Sequence, residues 1–218
     1  MAIVSPSLLA ADFLHLENGI EMINQSEADW LHLDIMDGMF VPNISFGFSV
    51  LDAISKVLKK PMDVHYMTMR PEDYVERTAS LGAMSMNFHI EACGDRTADV
   101  IRRIHDAGMK AAITISPDTP VNAVRPHINN VEMVLVMSVY PGFGGQKFIE
   151  ATIERVQALK LMIAECGSKA LIEVDGGVDS VTAPRLVKAG CDALVSGSYI
   201  FKAKNPIETI ASLKRLTL

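Results

Sequence analysis

Four side chains at the ends of short apolar runs are spaced to do chemistry together. In Trp30-Leu-His-Leu-Asp-Ile-Met-Asp-Gly38, His32 and Asp34 are two residues apart. A strand sends both to one face and Leu33 to the other. The polar–apolar–polar pattern recurs in Asp63-Val-His65 and Glu173-Val-Asp175, each followed by a turn or loop. His32, Asp34, His65 and Asp175 form a set of two imidazoles and two carboxylates. That set suits Zn²⁺, Fe²⁺, Mn²⁺ or Co²⁺ rather than a thiolate-seeking metal, and its carboxylates can also carry protons. Asp63 and Glu173, one layer deeper on the same faces, are placed to orient the ligands. Spacing alone leaves a second reading open, in which the four residues close a hydrogen-bond network without a metal.

The other histidines divide by context. His15, His105 and His127 fall in or beside helical stretches and read as surface or satisfied core residues with no chemical role, whereas His89 ends an apolar run in Asn-Phe-His-Ile-Glu91 and is a candidate for the cavity wall.

A second constellation is rich in glycine. Pro141-Gly-Phe-Gly-Gly-Gln-Lys147, Asp175-Gly-Gly177 and Ser196-Gly-Ser198 each follow an apolar run. Glycine lets backbone amides come close to an anion, and the start of a short helical turn after Gly197 adds to their positive potential. Three such loops side by side would hold the phosphate of a small molecule. Met36, Met67 and Met137 adjoin the polar set, in a chain with 13 methionines. They read either as ordinary core or as a polarizable lining that keeps water from a reactive intermediate.

The elements that must position these groups alternate regularly. Apolar runs lie near 3–6, 30–35, 62–65, 84–89, 110–115, 131–138, 170–174 and 192–196. Amphipathic stretches lie near 14–25, 47–58, 72–81, 96–107, 120–127, 148–165, 180–188 and 206–215, with Gly and Pro at the joins. Eight strand–helix units predict a single (β/α)₈ barrel over 1–218, near the lower end of the size range of that fold. An open doubly wound sheet is the competing arrangement. The polar strand ends come from runs far apart in sequence, which a closed barrel brings together more easily.

Composition narrows the partners. The 218 residues carry a net charge of −6, which argues against nucleic acid or an anionic membrane surface. Backbone amides can still bind a phosphate. Three cysteines (Cys93, Cys166 and Cys191) lack finger spacing and read as free thiols in a reducing compartment. No basic segment precedes the first apolar run, and no run is long enough to span a bilayer, so a cytoplasmic protein is expected.

These motifs together resemble the ribulose-phosphate 3-epimerase family over nearly the whole chain. The resemblance is carried by Ser5-Pro-Ser7-Leu-Leu-Ala-Ala-Asp-Phe13, by His32-Leu-Asp-Ile-Met-Asp-Gly38 with Phe40-Val-Pro-Asn43, by Val134 to Phe148, and by Ile172-Glu-Val-Asp-Gly-Gly177. It implies a (β/α)₈ barrel and epimerisation at C3 of a ketose phosphate, D-ribulose 5-phosphate to D-xylulose 5-phosphate. It implies one divalent metal held by His32, Asp34, His65 and Asp175, with zinc as the first expectation and iron, manganese or cobalt as alternatives. Asp34 and Asp175 become the acid–base pair. Ser7, His65, Met36, Met67, Met137, Gly142, Phe143, Gly144, Gly145, Gly176, Gly177, Gly197 and Ser198 become the substrate contacts. A homo-oligomer is expected.

The chain departs from the family pattern at Met39, where a histidine is usual, at Tyr66, which should point away from the barrel interior, and at Arg70-Pro71. The last also occurs in the related allulose-6-phosphate 3-epimerase, so a six-carbon substrate is the near alternative. A non-catalytic sugar-phosphate-binding barrel is the alternative of another class, and it would have no need for two proton carriers. A phosphosugar aldolase or decarboxylase would use a strand-end lysine. None is found, since Lys110 opens its strand and Lys147 lies in a loop.

Overall fold

Eight runs dominated by apolar residues fold as parallel strands: β1 (Ile3–Pro6), β2 (Leu31–Met36), β3 (Met62–Met67), β4 (Ser85–His89), β5 (Lys110–Ile115), β6 (Met133–Met137), β7 (Leu171–Asp175) and β8 (Ala193–Ser196). The structure is a computed structural model and describes residues 1–217. The strands are ordered β1-β8-β7-β6-β5-β4-β3-β2 in one sheet. A parallel bridge from Ser7 to His32 joins β1 to β2 and closes the ring. This is the expected (β/α)₈ barrel. Strands buried on both faces explain why the sequence shows near-continuous apolar runs, broken only where an inward side chain is polar.

Register places the chemistry. His32 pairs with Asp63, Asp34 with His65 and Met36 with Met67 across β2 and β3. Met137 pairs with Asp175 across β6 and β7. Because side chains alternate, Leu31, Leu33 and Ile35 face the helical layer while His32 and Asp34 face the barrel interior. Tyr66 also points outward, as expected. It is fully buried, 2.6 Å from the Thr78 hydroxyl and stacked on Tyr74.

The outer layer contains α1 (Leu16–Gln25), α2 (Phe48–Val57), α3 (Val75–Ser80), α4 (Ile90–Cys93), α5 (Thr97–Asp106), α6 (Thr152–Glu165), α7 (Thr182–Ala189), α8 (Ser198–Phe201) and α9 (Pro206–Lys214). Two segments depart from the sequence pattern. The stretch after β5 is a 3₁₀ helix, Val121–His127, because Pro126 inside it cannot donate an i→i−4 bond and clashes with that turn. Helix α6 starts at Thr152 rather than near 148, because the amide of Ile149 is drawn to the Ser138 carbonyl at 2.8 Å. That contact keeps Phe148 and Ile149 out of the helix, and the chain turns through Glu150 and Ala151 into α6. Among the described residues no helix is long and apolar enough to cross a membrane.

Candidate active site

The C-terminal strand ends open into a cavity of about 400 Å³. Its wall includes Ser7, Asp34, Met36, Met67, Met137, Gly142, Phe143, Gly144, Gly145, Asp175, Gly176, Gly177, Gly197 and Ser198. All of these are residues that the sequence singled out. His32 and His65 are fully buried in the barrel interior. One nitrogen or oxygen from each of His32, Asp34, His65 and Asp175 lies within 4.8 Å of the others. Four residues from β2, β3 and β7 thus share one small volume.

The two imidazoles present opposite nitrogens to that volume. His32 Nδ1 lies 2.7 Å from Asp63 Oδ2, and its Nε2 is buried without a hydrogen-bond partner, 3.4 Å from Asp34 Oδ1. His65 turns Nδ1 to Asp34 Oδ1 at 3.1 Å and Nε2 to His89 Nε2 at 3.0 Å. Asp63 therefore orients His32, as the spacing suggests, and is itself held by the Ser85 hydroxyl (2.5 Å) and the Asn87 amide (2.7 Å). Glu173 does not act in the same way. It lies 3.9 Å from His32 Nδ1, beyond hydrogen-bonding distance, and both its carboxyl oxygens lack a partner. Burial, with the charge of Asp63 added, drives its pKa well above the usual carboxylate range.

The two aspartates are displaced in opposite directions. Burial alone would raise Asp34, but His32 and His65 overcome it and hold the carboxyl far below its ordinary range. The Ser7 hydroxyl donates to Asp34 Oδ2 at 2.6 Å and favours the same ionised state. Asp175 is pushed up to about 7 by burial, with the charge of Asp34 adding to it. Burial also pushes His65 down to about 4, so its imidazole is neutral at physiological pH and Nδ1 can offer a lone pair. The unpartnered Nε2 of His32, the Nδ1 of His65 beside Asp34 Oδ1 and the two carboxyls together fit a divalent ion with nitrogen and oxygen ligands.

The loops over this floor are tied to one another. Asp37 accepts from the amides of Met39, Phe40 and Met69, which clamps the loop after β2 to the loop after β3. The Asn43 side-chain amide donates to the Gly142 carbonyl at 2.7 Å. The Ser138 hydroxyl donates to the Asp175 and Gly176 carbonyls at 2.8 and 2.5 Å. Gly176 and Gly177 have φ of +115° and +62°. A Cβ on Gly176 would sit 2.4 Å from Val139, and one on Gly177 would sit 2.9 Å from the Phe148 amide nitrogen. The loop after β7 can adopt this path only with glycine.

Several wall residues were not singled out by the sequence: Val139, Gln146, Asp179, Val195, Tyr199 and Lys202. Lys202 follows α8, away from the strand ends, so a search for strand-end lysines passes over it. His89 is fully buried behind His65 rather than on the open wall. Met39 is exposed, outside the cavity wall. Arg70 is also exposed, paired with Asp73 at 2.9 Å and outside the wall.

Comparison with known proteins agrees with this geometry. The sequence model described as the Ribulose-phosphate 3 epimerase family matches residues 3–201. The chain is 41% identical over 213 residues to the chloroplastic ribulose-5-phosphate-3-epimerase of Arabidopsis thaliana, covering 97% of this chain and 76% of that one. It is 40% identical over 212 residues to the ribulose-phosphate 3-epimerase of Bacillus subtilis, covering 97% of both. The crystal structure of a 3-hexulose-6-phosphate synthase superposes over 100% of both chains with a TM-score of 0.70 at 16% identity, a likeness of fold. The family match over nearly the whole barrel and the relatives at about 40% identity show that this chain belongs to the ribulose-phosphate 3-epimerase family of enzymes.

Proposed function

We propose that this enzyme interconverts D-ribulose 5-phosphate and D-xylulose 5-phosphate by moving a proton at C3 between Asp34 and Asp175. The observation that carries this reading is geometric: two carboxyls, Asp34 from β2 and Asp175 from β7, meet at one cavity floor beside two imidazoles, and their surroundings push the first down and the second up. Such a pair starts with one base and one acid, which epimerisation requires.

The ionised carboxylate of Asp34 takes the C3 proton, and its electron pair moves into the C2–C3 bond to give a 2,3-enediolate. Asp175, protonated at the start, returns a proton to C3 from the other face. Afterwards Asp34 holds the proton and Asp175 is ionised, so the pair is set for the reverse direction. Ser7 donates to Asp34 Oδ2 and holds the carboxylate in place. Met36, Met67 and Met137 are 3%, 2% and 2% exposed, and their thioethers form an apolar surround that keeps water from the carbanionic carbon.

His32 Nε2, Asp34, His65 Nδ1 and Asp175 would hold the divalent metal, with zinc the first choice. When bound, the ion supplies Lewis-acid stabilisation to the charge that builds on the C2 and C3 oxygens. The amides of Gly144, Gly145, Gly176, Gly177, Gly197 and Ser198 are placed to grip the phosphate, with Gly142 and Phe143 shaping the loop and Lys202 adding positive charge.

A six-carbon substrate draws no support from Arg70, whose guanidinium is engaged outside the cavity. Rates on ribulose 5-phosphate and allulose 6-phosphate, measured side by side, test the choice. A higher kcat/KM on the pentose is expected, and a preference for the hexose would reverse it. Cys93, Cys166 and Cys191 are free thiols, which supports a reducing, cytoplasmic setting.

A further inference from the structure

The geometry points to His89 and Glu91 as positioning residues that favour the tautomer of His65 whose Nδ1 is open to a metal ion. This inference rests on the metal reading above. His65 Nε2 and His89 Nε2 are 3.0 Å apart, while the ring centroids are 5.1 Å apart at 26°, so the rings meet edge to edge, nitrogen to nitrogen. Both rings are fully buried. One nitrogen of that pair must carry the hydrogen and the other must accept it.

Glu91 decides which. Its Oε2 lies 3.2 Å from His89 Nδ1, and its Oε1 accepts from the Ser116 amide (2.7 Å) and from the Thr119 hydroxyl. The carboxylate has only acceptors to offer, and the Ser116 hydroxyl, 3.2 Å from His89 Nδ1, can accept as well, so His89 carries its proton on Nδ1 and presents a bare Nε2 to His65. His65 has one ring proton, which the Asp34 carboxylate draws to Nδ1 and the bare His89 Nε2 draws to Nε2; the acceptor on His89 therefore shifts His65 toward the tautomer whose Nδ1 can take a metal ion. Phe40 packs on the His89 ring, with centroids 4.6 Å apart, and holds its plane. Asp63 does the corresponding job for His32 directly, and the relay through His89 does it for His65 from one residue farther out.

Two substitutions separate this role from packing. Glu91→Gln keeps the shape. Its carbonyl oxygen can stay with Ser116 and Thr119, which turns an NH₂ donor toward His89 Nδ1. His89 must then protonate Nε2 and His65 must protonate Nδ1, which blocks the ligand nitrogen. His89→Gln keeps an oxygen able to accept from His65 Nε2, whereas His89→Phe keeps the ring and removes the acceptor.

The measurement is the Kd for Zn²⁺ by chelator competition, with the visible spectrum of the Co²⁺-loaded protein alongside. Glu91→Gln and His89→Phe are expected to weaken Zn²⁺ binding by roughly 10–100-fold and to change the Co²⁺ spectrum, with His89→Gln restoring much of the affinity. If either Phe or Gln at 89 does not fold, Glu91→Gln alone decides. Glu91→Gln that binds Zn²⁺ within twofold of the unaltered protein overturns the relay and leaves the metal reading intact. Equal losses in His89→Gln and His89→Phe also overturn it, since they would mark a packing role. An unaltered protein that binds no divalent ion overturns both the metal reading and the relay.

Discussion

Asp34 and Asp175 enter the site from β2 and β7, and in the same pocket one is held strongly ionised while the other is pushed up to about 7. Two carboxylates in similar surroundings would share a proton or compete for one. Here two imidazoles and the Ser7 hydroxyl gather around Asp34, while Asp175 has burial and the neighbouring negative charge to contend with. The asymmetry comes from the register, since β2 and β3 pair Asp34 with His65 while β7 pairs Asp175 with Met137.

Asp175→Asn should therefore lower kcat by at least ~100-fold in both directions, because an amide can neither give nor take the C3 proton. The fold should persist, since the Ser138 bonds to this turn are to backbone carbonyls and survive the change. Steady-state rates with a circular dichroism spectrum check this. Near-normal turnover in a metal-loaded sample would remove Asp175 from the reaction.

Gly176→Ala should destabilise the protein by more than ~1 kcal/mol, because φ is +115° and the new Cβ would meet Val139 at 2.4 Å. In whatever fraction stays folded, KM should rise more than kcat falls if this loop has the phosphate-gripping role proposed for it. Urea unfolding and steady-state kinetics read the two effects separately. An alanine variant as stable as the unaltered protein would mean that the loop relaxes without cost.

Glu91 gives a pH signature. Burial alone would raise its carboxyl, but the bonds from His89, Thr119 and the Ser116 amide hold it at about 2, against an ordinary 4.5. A lowered pKa means that ionised Glu91 stabilises the fold fully above about pH 4.5 and loses that contribution as the pH falls toward 2. With chelator present throughout, the urea midpoint of Glu91→Gln should lie below that of the unaltered protein at pH 7, and the gap should shrink by pH 3. A gap of the same size at both pH values would contradict the assignment.

The barrel and the four clustered polar residues were legible in the sequence for one physical reason. A strand buried on both faces has no routine use for a polar side chain, so His32, Asp34, His65 and Asp175 stand out against their apolar neighbours. The glycine loops of the cavity wall were legible through glycine itself, whose positive φ at Gly176 and Gly177 has few substitutes. What could not be read depended on distances between elements. Glu173 follows the same alternation as Asp63, yet only Asp63 reaches its histidine. Glu91 and Lys202 sit after strand and helix ends in unremarkable local sequence, and only the closed barrel brings one behind His65 and the other to the cavity rim. The late start of α6 is likewise a tertiary effect, set by the Ile149 bond to Ser138.

The claim that a proton is exchanged at C3 between two aspartates has one direct test. The metal-loaded protein is incubated with D-ribulose 5-phosphate in D₂O, and the recovered sugar phosphates are examined by NMR. Deuterium at C3 of the D-xylulose 5-phosphate product is the expected result, because Asp175 delivers a proton that has equilibrated with solvent. Product formed with C3 still fully protonated, or no turnover of the pentose phosphate at all, would contradict it.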